Sequence, residues 1–431
     1  MRATLFIIAA ATMTTAGYAA ETAQPDNQTA TQTTGTEVVF VNPFTRTVAE
    51  VTTVSSETEQ PTKPAKKTIQ ITPTGRILMD GAAYLGGNGD ITDGSTDSKF
   101  VDGVAIPDLR LGVKASYGKW KAKIDVGFAY GAVGLKDTYL EYDFNENNLL
   151  RGGYFVPQFG LNSETSSSMK PSYEEPTSNE FFNANPRLLG LMYEYDKGQF
   201  FAGTTVFAEA AAMSTHAVAM GKQGWGAQTR LVWRPRFSDG DVLQIGASFN
   251  YSSPNADNHT GFNYTANFPT RVSSVPLLQA NIDNARGLFK MTPELLFVKG
   301  NCALEAQYYY MNVARRNGLK NYVAQGAYGM FRTLLIGSHY TYTHADAGIA
   351  TPAPKSLEMV LGYNYTNAND TSAGIFGGIS QDASCTFNYY INSWMIARLR
   401  YSYTTVRDRV VADLLPTRHV NTIEARLQII F

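Results

Sequence analysis

No stretch of this 431-residue chain approaches the roughly 18 consecutive apolar residues that a membrane-crossing helix needs, and the mean hydropathy is below zero. Helical spans are therefore excluded, though strand spans are not. Charge of one sign is also lacking: 36 basic side chains face 37 acidic ones, so no bulk charge draws the chain to nucleic acid or anionic surfaces. Cysteine is scarce, with Cys302 and Cys385 far apart and without metal-type spacing, and two free, buried thiols are the plain reading. Five histidines (216, 259, 339, 344, 419) are scattered, and the odd spacing of His339 and His344 puts them on opposite faces of a strand. No glycine-rich phosphate loop, HExxH or GxSxG motif occurs, and no repeat of propeller length. These absences disfavour an enzyme, and no cofactor is called for.

Aromatics are abundant, with Tyr 25, Phe 23 and Trp 4, and they sit near the ends of alternating runs. Leu109, Leu111, Val113, Ala115 and Tyr117 share one face of a strand; Arg110, Gly112, Lys114 and Ser116 share the other. After Tyr117-Gly118-Lys119, the next run puts Trp120, Ala122, Ile124, Val126, Phe128 and Tyr130 opposite Lys121, Lys123 and Asp125. Lipid-facing strands of about 9 to 11 residues flanked by interfacial aromatics have this texture. The fold class it points to is all-β, a transmembrane antiparallel β-barrel.

Runs of this kind begin near residue 68 and number about sixteen, which leaves roughly 23 residues per strand with its connection. Turns at 117–119, 145–147, 196–198, 238–240, 299–301 and 391–393 alternate with longer connections, as a barrel inserted from one side requires. Residues 1–19 have a basic start, a short apolar core and small residues before Ala20, which reads as a signal peptide for export. Residues 20–67, rich in Thr, Glu, Gln and Pro, read as a disordered periplasmic tether, with the more apolar stretch Glu37 to Val54 as a candidate short strand pair.

The segments LRLGVKASYGKWKAKIDVGFA, GLKDTYLEY, LLRGGYFVPQFGL and NPRLLGLMYEYDKGQFFAGTTVF resemble the phosphate-selective porin O and P family of bacterial outer membranes. The resemblance is densest over residues 105–207. It implies a sixteen-stranded outer-membrane barrel over residues 68–431 that passes small anionic or neutral hydrophilic solutes. Members of the family often form homotrimers, and a terminal strand ending in Phe431 resembles the signal read by the barrel-assembly machinery. One departure stands out. Where the family usually reads Phe-Lys-Pro-Pro, this chain has Phe155, Val156, Pro157 and Gln158, so a cation is absent.

The resemblance also implies that the loop from Leu161 to Pro186 folds into the lumen as a constriction, bringing Glu164, Lys170, Glu174, Glu175 and Glu180 with it. Strand parity predicts a lumen wall carrying Arg110, Lys114, Lys121, Lys123, Arg230, Arg234, Arg236, Arg398, Arg400 and Arg426, since mid-depth charges facing lipid cost about 2–4 kcal/mol each. Asp125, Glu294, Glu305, Glu358 and Glu424 share that face. A positive surplus favours anions such as phosphate; pairing across the wall would instead rigidify the barrel and leave little selectivity. The function expected is passive diffusion across the outer membrane, without metal or nucleic acid. The alternatives are a binding or adhesion barrel with a closed lumen and a soluble all-β domain.

Overall fold

The computed structural model describes residues 37–40, 68–85, 100–162, 169–172, 176–183, 186–213, 223–254, 261–272, 276–344, 347–410 and 417–431. The signal-peptide reading, and all of the tether except 37–40, lie outside these residues.

Strand β1 (Glu37–Phe40) comes first, then β2 (Thr68–Leu85), β3 (Gly103–Tyr117), β4 (Trp120–Gly127), β5 (Gly134–Asn145), β6 (Asn148–Phe155), β7 (Leu188–Lys197), β8 (Phe200–Ala208), β9 (Trp225–Ser238) and β10 (Asp241–Ser253). A small hairpin, β11 (Phe262–Asn267) and β12 (Pro276–Ile282), precedes β13 (Ala285–Lys299), β14 (Cys302–Arg315) and β15 (Tyr322–Ile336). A second, β16 (Tyr342–Thr343) and β17 (Gly348–Ile349), precedes β18 (Leu357–Asp370), β19 (Ile375–Tyr390), β20 (Met395–Arg409) and β21 (Arg418–Ile430). Setting aside β1 and the two hairpins, sixteen strands pair antiparallel with their chain neighbours, and β2 pairs with β21 to close the barrel.

Closure is tight at its last residue. Gly75 and Phe431 exchange backbone hydrogen bonds of 2.9 and 3.0 Å, and the Phe431 ring occupies the space a Cβ on Gly75 would need. β1 runs parallel to Thr68–Ile71, the part of β2 beyond the reach of β21. Among the described residues of the segment read as a tether, it is the strand present.

The alternation behaves as the sequence predicts. Along β9, Trp225, Leu231 and Trp233 are exposed on the outside while Arg230, Val232 and Arg234 are buried inside. Trp225 and Trp233 lie about 26 Å apart along the strand at 3.3 Å per residue, as suits two interfacial girdles. Tight turns such as Tyr117-Gly118-Lys119 gather at one end, with Gly118 and Gly300 at φ of 58°, where a side chain would strain. Both cysteines are free and half-buried on the outer face, which corrects the expectation of buried thiols: Cys385 lies between the exposed Leu361 and Tyr401.

Three connections fold inward. After β6 the chain leaves the ladder at Val156, because the next residue, Pro157, has no N–H to give. It then forms helix α1 (Thr177–Phe182), whose Phe181 and Phe182 are fully buried. Hairpin β11–β12 packs on α1 and on the inner faces of β18 to β20. Together they make an apolar core inside the barrel, with Phe159, Phe181, Phe182, Leu277, Leu278, Ile282, Tyr309 and Tyr322. Each ring removed from water there contributes about 1.5–3 kcal/mol. The third connection, 337–356 with β16–β17, was not anticipated: it lies at the turn end, where only tight turns were expected, and also packs inward.

Candidate functional site: the lumen

The inward segments divide the lumen into a filled half, against β9 to β20, and a half that water reaches, against β3 to β7. Five of the ten cations assigned to the wall point inward but are covered. Arg230 bonds Glu294 (2.7 and 3.0 Å), Gln158 Oε1 (2.9 Å) and the Ala347 carbonyl (3.2 Å). Arg234 pairs with Asp196 and donates to the Phe200 carbonyl (3.0 Å) and to Tyr342 (3.3 Å). Arg398 holds the Lys170 and Ser172 carbonyls, the latter at 3.0 Å. Arg400 bridges Asp382 (3.0 Å) and Glu424 (3.1 Å) and reaches the Pro269 carbonyl (2.8 Å). Arg426 grips Asp80 through two bonds of 2.7 Å. All five are buried, so the reading of them as wetted lining is corrected: inward segments meet Arg230, Arg234, Arg398 and Arg400, and Arg426 is closed against Asp80.

Arg236 is corrected differently. The β9–β10 register shifts between Leu243 and Ile245, and Pro235 supplies the extra residue that flips parity. Arg236 stands opposite Leu243, 5.3 Å from the centre of the Phe297 ring, on the outside near the turns, where Asp241 lies at 3.8 Å. Phe237 turns inward in its place, against Tyr342.

Four cations remain on the water-reached face. Arg110 bonds Asp108 (2.9 Å), which also pairs with Arg76. Lys121 reaches Glu141 (3.2 Å) and Asp143 (2.7 Å), Lys123 reaches Asp125 and Asp137 (2.8 Å each), and Lys114 is exposed. The sequence reading missed Arg151, bonded to Glu141 at 2.8 Å, and Arg187, bonded to Asp137 at 2.7 Å. Parity along GLKDTYLEY carries Asp137 and Glu141 on one face and parity along LLRGGYF carries Arg151, while the β4–β5 bulge between Ile124 and Val126 changes the face only ahead of Asp137.

In the constriction loop, Lys170 is buried and donates to the Asn162 carbonyl and to its Oδ1 (2.8 Å). Glu180 pairs with Arg271 (3.2 Å) and accepts from Asn267 (3.3 Å), tying α1 to the β11–β12 hairpin. Glu164, Glu174 and Glu175 lie outside the described residues.

The turn-end plug is held by side chains that the wall presents. Tyr340 donates to Glu358 (2.8 Å), and Tyr342 donates to Gln244 (2.7 Å). Burial, reinforced by the Glu358 carboxylate, keeps the Tyr340 hydroxyl protonated far above its usual range, and burial pushes Tyr342 up to about 12. His339 meets Asp239 at 3.0 Å and His344 meets Asp196 at 2.6 Å on the flanking strands and turn. Among the described residues, no three His, Cys, Asp or Glu side chains are grouped to hold a metal ion.

Solved structures with this architecture include in-vitro folded OmpT, an outer membrane protein of Vibrio cholerae in trimer form. It is 12% identical, with a TM-score of 0.54 over 84% of this chain and 99% of that one. Outer-membrane expressed OmpT of Vibrio cholerae is likewise 12% identical, with a TM-score of 0.53 over 86% of this chain and all of that one. Among curated proteins, none matches. The family model for phosphate-selective porin O and P matches residues 82–431, most of the chain. A closed sixteen-strand barrel with an aromatic-edged outer face and inward-folded connections is therefore a bacterial outer-membrane porin, and the chain belongs to the phosphate-selective porin O and P family.

Proposed function

We propose that small hydrophilic solutes diffuse passively through the half of the lumen bounded by β3 to β7, with a mild preference for anions, and that the protein acts as a channel rather than a catalyst. The observation that carries the preference is which partner of each ion pair meets water. Lys121 is 50% exposed against 6% for Glu141 and 27% for Asp143, Arg151 15% against 6% for Glu141, and Lys123 17% against 10% for Asp125. Arg187 and Asp137 are level, Lys123 lies slightly behind Asp137 (17% against 19%), and Arg76 lies behind Asp108. A solute in the passage thus meets ammonium and guanidinium groups in front of their carboxylates, the arrangement that lowers the entry barrier for anions while weak binding lets them leave.

The test is the zero-current potential of the purified protein in a planar bilayer under a KCl gradient, repeated with Lys114, Lys121 and Lys123 changed to Ala. The expected result is a potential favouring chloride that shrinks towards zero in the triple variant. A potential favouring potassium in the unaltered protein would overturn the anion preference. Absence of conductance would promote the closed binding barrel. A homotrimer belongs to this reading too, supported by the trimer form of OmpT, and crosslinking in the membrane to three times the monomer mass would test it.

A further inference from the structure

Arg230, Arg332, Arg400 and Arg426 each meet a carboxylate on the inner wall, but Lys290 does not. Buried on the inner face of β13, its Nζ donates to the Phe182 carbonyl at 2.7 Å and stands 5.0 Å from the centre of the Phe159 ring and 5.7 Å from that of Tyr264. Among the described residues no carboxylate lies within ion-pair distance of it. An ammonium has three N–H donors, and one is used. Ring faces favour a cation but offer its remaining protons no lone pair of ordinary strength, and a desolvated charge without a counter-charge is costly.

Lys290 lines a cavity of about 300 Å³ at the loop end, beside the passage, between the inner faces of β8, β9, β10 and β13 and the inward loops. Val156, Phe159, Phe262 and Leu288 give it apolar walls, and Asn183 and Asn263 supply amides. Glu209 also lines it, so the cavity carries one cation against one carboxylate at its margin. Val156 occupies the position where the family usually has lysine. A phosphate dianion, strongly hydrated, needs several donors and more than one positive charge to leave water. This cavity has donors enough, Gln228, Asn250 and Ser252 among them, but only one cation.

We propose that the cavity binds a small monocarboxylic acid with an apolar, preferably aromatic body, its carboxylate on Lys290 Nζ and its body against Phe159 and Phe262. One negative charge completes the pair that the wall leaves open, and the apolar side formed by Phe159, Phe262 and Leu288 suits the body. The site does not depend on the anion preference of the passage.

Calorimetric titration of the protein in lipid nanodiscs with benzoate tests this, with benzamide and inorganic phosphate as comparators. Benzoate is expected to bind one to one and at least ten-fold more tightly than either. Lys290→Met should weaken benzoate at least ten-fold and leave benzamide within about two-fold. Val156→Lys, at a half-buried position, should narrow the gap between benzoate and phosphate and serves if Lys290→Met does not fold. Benzoate that fails to bind the unaltered protein, benzoate affinity unchanged by Lys290→Met, or phosphate binding more tightly than benzoate would each overturn the proposal. Because the readout is binding rather than conductance, its failure is separate from any failure of the zero-current test.

Discussion

Glu358 shows how much a single side chain can organise inside this barrel. Its two oxygens accept from Arg332 Nε (2.9 Å) and Nη2 (2.8 Å), Tyr340 (2.8 Å), Tyr390 (2.7 Å) and Asn388 (2.9 Å), joining β15, β18 and β19 to the turn-end plug. Removing one partner of a buried ion pair strands the other charge, at a cost of about 3–5 kcal/mol. Glu358→Leu should therefore lower the temperature at which the folded band converts to the unfolded one on heated gels, and Arg332→Met in the same chain should restore part of it. An unshifted temperature in the single variant would show that the network is dispensable. Tyr342 gives a pH signature with a definite sign. Its folded value of about 12 exceeds the unfolded value of about 10, so the stabilisation is whole below pH 10 and is lost as pH rises towards 12. Fluorescence-monitored unfolding should show that loss, and Tyr342→Phe should remove it.

Among the elements, the turn-end connection that carries β16 and β17 is the inward segment the tight-turn pattern did not foretell. It is pinned by hydrogen bonds from Tyr340 and Tyr342 and by the contacts of His339 and His344, all near the turn end. Replacing residues 340–350 by a short Gly-Ser turn should raise single-channel conductance and uncover Arg234, with sixteen strands retained by circular dichroism. A conductance equal to that of the unaltered protein would mean that the passage bypasses the plug. This element also marks where sequence reading stops. The barrel strands are legible because their period of two is imposed by lipid on one side and water or packed polar groups on the other. The stretch from Gly337 to Ser356 has no such period, and only tertiary contacts with Gln244 and Glu358 make it a plug. Arg236 shows the same limit on a smaller scale: one extra residue at Pro235 inverts every later assignment on the strand. Parity could place Arg230 and Arg400 inside, but not reveal that loops distant in sequence would cover them.

At the scale of the whole molecule, the barrel is lopsided. From β9 round to β20 the inner wall is backed by packed aromatics and buried ion pairs, whereas many inward side chains of β3 to β7 are partly exposed. The two halves share one continuous ladder of strands, so they should cross the membrane equally well yet differ in how often their amides open. Local opening costs least where few buried contacts must break. Hydrogen–deuterium exchange in nanodiscs should find the amides of β13 to β15 and β18 to β19 retained longest and those of β3 to β6 released first, by about an order of magnitude or more in rate if the packed side adds even 1.4 kcal/mol to opening. The solid half would then act as a rigid keel, with breathing confined to the wall past which solute moves.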